Sequence, residues 1–332
     1  MRKTSDKFKE TVILDFIIYG FAIFKNVIYG SSIFFISRLT DNVDVLDVLA
    51  LRFLMSFAVF LLLKLTHIVK IDISLRDFSK KSGKRSLMLS LFLTGLFEPV
   101  LELTFETLGI SMTTNITASV ILSLLPVFAA ISEFIFLKER IDWKKGLFLA
   151  IGMIGAILIA VCAKPDENGK DSLAGIMFIL LAVITGALFV TFSRKSSIGA
   201  GAMEITYFSC FMGAVAFNGV NIIRHLINGS IGTYFMPYMN IENMIGFVFL
   251  AIISAIIATS MNNFALARMQ VSTMAAFGGL STIVSIVIGV IFNAEPLYWY
   301  HAIGISLILI RVVGMICLTT GNNRKVGDVK KA

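Results

Sequence analysis

Charge is scarce in this chain. Only 15% of its 332 residues are Asp, Glu, Lys or Arg, against 57% hydrophobic residues and a mean hydropathy of +0.88. A globule of this size needs more polar surface than that to coat itself, which excludes a soluble domain. Cysteine is also rare. Cys162, Cys210 and Cys317 lie in apolar segments without paired spacing, so they read as packing residues rather than a disulfide framework or a metal cluster. His67, His225 and His301 sit at or near polar joints and have no metal-ligand spacing. The chain lacks HExxH, GxSxG, a Walker motif, any glycine-rich phosphate loop and a pair of buried aspartates. Those absences weigh against a membrane enzyme and against direct ATP-driven transport, and no metal or cofactor is expected.

What is present is a series of long apolar runs separated by short polar joints. They fall near 12–37, 46–66, 86–108, 114–137, 143–163, 173–193, 202–226, 244–267, 271–292 and 297–320. Each has about the 20 residues a helix needs to cross the hydrocarbon core, and none alternates as a barrel strand would. The charged stretch 2–10 leads into a run too long for a signal-peptide core, with no small-residue cleavage site, so the first span is expected to stay in the protein. The fold class predicted is an all-α integral membrane protein of ten transmembrane helices.

The net charge of +8 is distributed by side. If the first run starts inside, 22 of the 29 Lys and Arg fall on the inner joints and termini, and only Arg38, Lys164, Lys170 and Arg224 fall outside, beside Asp41, Asp44 and Asp47. That asymmetry places both termini in the cytoplasm of a multi-pass plasma-membrane protein. It also explains the basic charge without a nucleic-acid partner; the partner implied is the lipid bilayer.

An offset of 156 residues superposes the chain on itself. Val27-Ile28 meets Val183-Ile184, Gly30 meets Gly186, Ser37-Arg38 meets Ser193-Arg194, and Glu139 with Trp143 meets Glu295 with Trp299. A duplicated unit with five crossings puts its copies upside down relative to each other. The expected domains are therefore two inverted five-helix repeats, 12–163 and 173–320, a plan common among secondary transporters. Trp143 and Trp299 would then open the last helix of each half at opposite interfaces, and Glu139 and Glu295 would anchor the joints beside them.

Tyr29-Gly30, Leu51-Arg52-Phe53, Pro126, the joint Leu137-Lys138-Glu139-Arg140 and the joint Ala294-Glu295-Pro296-Leu297 carry a resemblance. In their order, spacing and duplication, over roughly 12–320, the chain resembles the drug/metabolite transporter superfamily in its ten-helix branch of paired EamA domains. The resemblance implies export or uptake of small metabolites, often amino acids, through a cavity lined by helices 1, 3, 4, 6, 8 and 9, with 5 and 10 outside. Two departures stand out. Small multidrug-resistance relatives carry a glutamate in the first helix, whereas here that helix has Lys25 and Tyr29 and no mid-span acid. The tenth helix has Arg311 where the family usually keeps a small residue.

Ionisable groups at membrane depth cost about 2.5–3.5 kcal/mol each on insertion scales, so those present need a reason. The chain holds Lys25, Arg52 and Arg311 against Glu98, Glu102, Glu106 and Glu133. Glu98, Glu102 and Glu106 are four apart and form one helical stripe; like charges at that spacing repel, so cations must face them or some must be protonated. One reading is a structural ladder in which Arg52 pairs with Glu106 and Arg311 also serves a structural charge pair. The other is a substrate- or proton-binding site of Glu98, Glu102, Lys25 and Tyr29, with Asn115 and Asn262 as further polar contacts. Pro99, directly after Glu98, should break the helix there. The polar residues from Thr113 to Ser123 and from Ser272 to Ser285 read mainly as close helix packing.

The function expected is a secondary transporter that moves a small metabolite, an amino acid or related amine, by alternating access, with a proton or sodium ion as the coupling species. A channel, a membrane-embedded enzyme, and a lipid or nucleotide-sugar carrier of the same fold stand as alternatives. A nucleotide sugar should need several cavity-facing cations, and only Lys25 qualifies from the sequence.

Overall fold

The computed structural model describes residues 2–69, 71, 82–138, 142–162, 172–269, 271–292 and 297–329. Glu139, Glu295 and the basic joint residues Lys70, Arg76, Lys80 and Lys81 lie outside these. All regular structure among the described residues is helical, as an apolar chain must be to satisfy its backbone inside lipid.

Helices α1 (Arg2–Thr40) and α2 (Val45–Leu65) are continuous. The third rod is broken. α3 (Ser82–Gly95) passes through a π-helical stretch, Leu96–Leu101, into α4 (Glu102–Ser111). The fourth rod comprises α5 (Asn115–Leu122) and α6 (Leu125–Ser132), then a π-helical end, Glu133–Leu137. α7 (Trp143–Cys162), α8 (Leu173–Ser196) and α9 (Ala202–Ile227) follow unbroken. Two short turns, Ile231–Thr233 and Met236–Met239, lead to α10 (Ile241–Val248), which continues π-helically over Phe249–Ala258 into α11 (Thr259–Leu266). α12 (Val271–Ala276), α13 (Gly279–Phe292) and α14 (Trp299–Val329) complete the chain. Among the described residues, eight helical stretches are long and apolar enough to cross a membrane, and Trp299–Met315 is a shorter apolar helix.

The breaks have local causes. Glu98 leaves helical geometry (φ −132°, ψ 123°), the extended conformation that a following proline imposes. α5 is capped at its C-terminal end by Ser123, and α6 restarts with Pro126 near its beginning, where a missing N–H costs nothing. The rod of α12 and α13 is interrupted at Phe277-Gly278.

Packing registers show which helices run antiparallel. Phe53 stacks near Phe217, Phe57 near Phe211 and Phe60 near Tyr207, so α2 and α9 oppose each other. α7 and α14 do the same: Gly152 faces Arg311, Gly155 faces Leu307 and Phe148 faces Gly314. Trp143 and Trp299, which open these two helices and are both exposed, therefore lie at opposite ends of the bundle. α1 runs against the π-helical stretch and α11 through Ser32–Ser254 (3.0 Å) and Tyr29–Thr259 (3.2 Å). α4 runs against α8 through Phe105–Phe178 and Glu102–Gly186.

Two glycines in the cavity-lining helices allow close approaches that correspond between the halves. A β-carbon on Gly30 would lie 2.5 Å from Ser281 O, and one on Gly186 would lie 3.0 Å from Leu125 Cδ1. Gly30 and Gly186 coincide in the repeat, and Ser281 and Leu125 are separated by the same 156-residue offset.

Candidate functional site: a charged cavity in the helix bundle

A cavity of about 150 Å³ opens where α1, α2, the third and fourth rods, α8, α9, and the rods of α10–α11 and α12–α13 meet. The six rods expected from the family resemblance all contribute. α2 and α9 contribute as well, through Arg52 and Phe53 and through Ser209 and Cys210. No described residue of α7 or α14 lines it.

Five charged side chains face this space. Lys25 and Arg52 come from α1 and α2, while Glu98, Glu102 and Glu106 come from the third rod. The stripe of glutamates and the two cations are thus brought together, but not as a ladder of ion pairs. Among the described residues, no carboxylate oxygen comes within ion-pairing distance of either cation. Lys25 Nζ instead sits 5.0 Å from the Tyr29 ring centre, and the Arg52 guanidinium lies 5.3 Å from the Phe53 ring. Arg52 Nε and Nη1, Glu102 Oε2 and Ser209 Oγ are buried without a hydrogen-bond partner among the described residues. Leaving such groups unserved in a low-dielectric interior is costly, so the arrangement is suited to a polar guest that supplies the missing partners.

Other residues singled out from the sequence divide between the cavity and the scaffold. Tyr29 lines the cavity and bonds Thr259. Asn262 lines it too, while its neighbour Asn263 is interhelical: its Oδ1 accepts from Ser193 (2.8 Å) and its Nδ2 donates to Thr206 (2.9 Å). Asn115 is buried at the start of α5, away from the cavity lining. The hydroxyls around it hold helices together, Ser119 to Ser285 (2.6 Å) and Thr282 to Ser119 O (3.2 Å). Glu133 accepts the backbone N–H of Val271 (3.0 Å), capping the start of α12. Arg311, expected in a charge pair, is fully buried, and its Nη1 donates to the backbone carbonyl of Ser123 (2.6 Å).

At one end of the bundle, a polar clamp joins α2 to α9. Asp47 accepts from Asn221 (2.8 Å) and Arg224 (2.9 Å) and lies 2.8 Å from His225 Nε2, while Asp44 takes the other Arg224 nitrogen (2.5 Å). The 228–240 segment is docked on this seam: Tyr234 donates to Asn218 (2.6 Å) and Tyr238 to Leu51 O (2.6 Å). Burial raises both phenols above their ordinary range, so they act as neutral donors. Sequence reading counted Asp44, Asp47 and Arg224 as joint charges and missed the clamp. Its one local signal is the i, i+3 pair of aspartates at the start of α2.

Comparison with known proteins gives a consistent picture. The EamA-like transporter family matches twice, over residues 16–161 and 173–317. The chain is 30% identical over 296 residues to the uncharacterized transporter YcxC of Bacillus subtilis (strain 168), covering 89% of this chain and 91% of that one. A shorter stretch of 113 residues is 27% identical to the S-adenosylmethionine uptake transporter of Rickettsia felis, covering 34% of this chain and 37% of the relative. A solved crystal structure shares the fold at a TM-score of 0.62 and 14% identity, over 90% of this chain and 96% of its own. With both halves of the chain matched and a cavity enclosed between them, this protein belongs to the EamA-like transporter family of multi-pass membrane proteins.

Proposed function

We propose that the chain is a secondary carrier that moves a small metabolite, an amino acid or related amine, across the plasma membrane by alternating access. The observation that carries the reading is the cavity itself, with three carboxyl groups and two cations around one space and no ion pair between them among the described residues. A guest with an ammonium and a carboxylate matches both signs. The excess of carboxyls favours an amine-bearing guest over a polyanion, which speaks against a nucleotide sugar even though Arg52 joins Lys25 at the cavity wall. An amino acid with an additional cationic centre, the class named for the rickettsial relative, fits the same excess.

Alternating access needs two halves that can exchange conformations. Support comes from the pairing of corresponding helices. α2 with α9 and α7 with α14 are each separated by one repeat offset, and each pair is antiparallel. The first helix of each half packs on the third rod of the other, α1 on the α10–α11 rod and α8 on α4. The π-helical stretches Leu96–Leu101 and Phe249–Ala258 also overlap under the offset. We read ten crossings in two inverted five-helix halves, with both termini cytoplasmic according to the basic joints. Glu98 and Glu102 are the proposed proton- or amine-binding groups, with Lys25, Tyr29 and Asn262 beside them. Replacement of either glutamate by glutamine in reconstituted vesicles tests the assignment; full transport with an unchanged pH response would refute it.

A further inference from the structure

Arg311 lies outside the cavity, yet it touches the wall at two places. Its Nη1 donates to Ser123 O, the carbonyl that ends α5. On its other side, a β-carbon on Gly279, the first residue of α13, would lie 2.9 Å from Nη2. Ser123 and Gly279 are separated by 156 residues, the repeat offset, and so occupy the same position in the two halves. Residues at or beside each break line the cavity, Leu122 and Leu125 in one rod and Gly278 and Ser281 in the other. Gly152 on α7 leaves the room in which the guanidinium lies. Two donors, Nε and Nη2, have no partner among the described residues. A buried guanidinium normally meets carboxylates; here its one bond is to the carbonyl end of a helix, which carries partial negative charge.

We propose that Arg311 is a positioning residue that passes its hydrogen bond from the break of the α5–α6 rod to the matching break of the α12–α13 rod as the cavity changes the face to which it opens. The inference rests on the alternating-access reading above. In an inverted repeat the two halves exchange conformations, so a donor set between corresponding breaks moves from the carbonyl end of α5 to the carbonyl end of α12, just before Gly279. The rigid fork of arginine holds spare donors apart from the bonded one and aimed elsewhere, a spread that the compact ammonium of lysine lacks.

Cys210 lines the cavity but is 1% exposed in this structure, so an aqueous reagent reaches it only when the cavity opens, and its labelling provides the readout. With Cys162→Ser and Cys317→Ser it becomes the only thiol, and a membrane-impermeant methanethiosulfonate reagent is applied to each face of oriented vesicles. Labelling from both faces is expected in this background. Arg311→Gln should change the ratio of the two labelling rates about tenfold, the size expected for one charge-assisted hydrogen bond. Arg311→Lys should shift the ratio in the same direction, and it decides the matter if the glutamine variant does not insert. Labelling from both faces with ratios unchanged in the folded variants overturns this role alone. Labelling of the parent from a single face overturns alternating access and this role with it.

Discussion

Gly186 on α8 and Glu102 on α4 approach so closely that a β-carbon on the glycine would come 2.5 Å from Glu102 Oε1. The carboxyl therefore lies against a bare helix backbone, with Oε2 buried and without a partner among the described residues. Gly186→Ala should displace Glu102 into the cavity and destabilise the protein by about 1–3 kcal/mol, as overpacking does. Thermal melts in detergent measure the second effect and vesicle transport the first. Gly219→Ala is the control: it sits within α9 with nothing inside 4 Å of its β-carbon, and should be neutral or stabilising by up to about 1 kcal/mol.

Gly30→Ala should cost more than Gly186→Ala. Its β-carbon would meet a backbone atom, Ser281 O, and not the movable end of a side chain. Relief requires α1 and α13 to separate, so a lower melting temperature than that of the Gly186 variant is expected. Equal melting temperatures would contradict the packing described.

The clamp between α2 and α9 should depend on Asp47 far more than on Asp44. Asp47 serves Asn221, Arg224 and His225 and its side chain is 14% exposed; that of Asp44 is 54% exposed. Asp47→Ala is expected to cost about 2–4 kcal/mol through the loss of several charge-assisted bonds. Asp44→Ala should cost about 1 kcal/mol, mostly from its cap on Leu46 N, because the exposed ion pair adds little. Denaturation midpoints of the two variants check the order.

The adjacent asparagines should separate stability from transport. Asn263→Ala strands the Ser193 hydroxyl and removes one of the bonds at Thr206, which keeps Ala202 O and Ser260, and should lower stability by about 1–3 kcal/mol. Asn262→Ala removes a cavity group and should leave the melting temperature near that of the parent while raising KM. The reverse pattern would exchange the roles of the two residues.

The helices were legible because lipid leaves little choice: an apolar run of the right length is a helix, and the polar joints mark its ends. The break at Glu98-Pro99 was legible for the same local reason. Lys25, Tyr29, Glu98, Glu102 and Asn262, which line the cavity, were singled out because an ionisable or amide group inside such a run needs a partner or a cavity. Asn115 satisfied the same criterion and stands off the cavity, since polarity alone does not tell which face of a helix it occupies. The unpaired state of the charges, the clamp of Asp47 with His225, and the contact of Arg311 with Ser123 depend on registers between segments far apart in the chain; the clamp spans 178 residues. Periodicity within a segment carries no such information.

Counterflow in proteoliposomes tests the central assignment most directly. Vesicles containing the wild-type protein, Glu98→Gln or Glu102→Gln are preloaded with an unlabelled amino-acid mixture and diluted into the radiolabelled mixture. Transient accumulation of label is expected with the wild type and not with either folded variant. Equal accumulation by all three, or none by the wild type, would contradict a carrier whose amine-binding site is this row of glutamates.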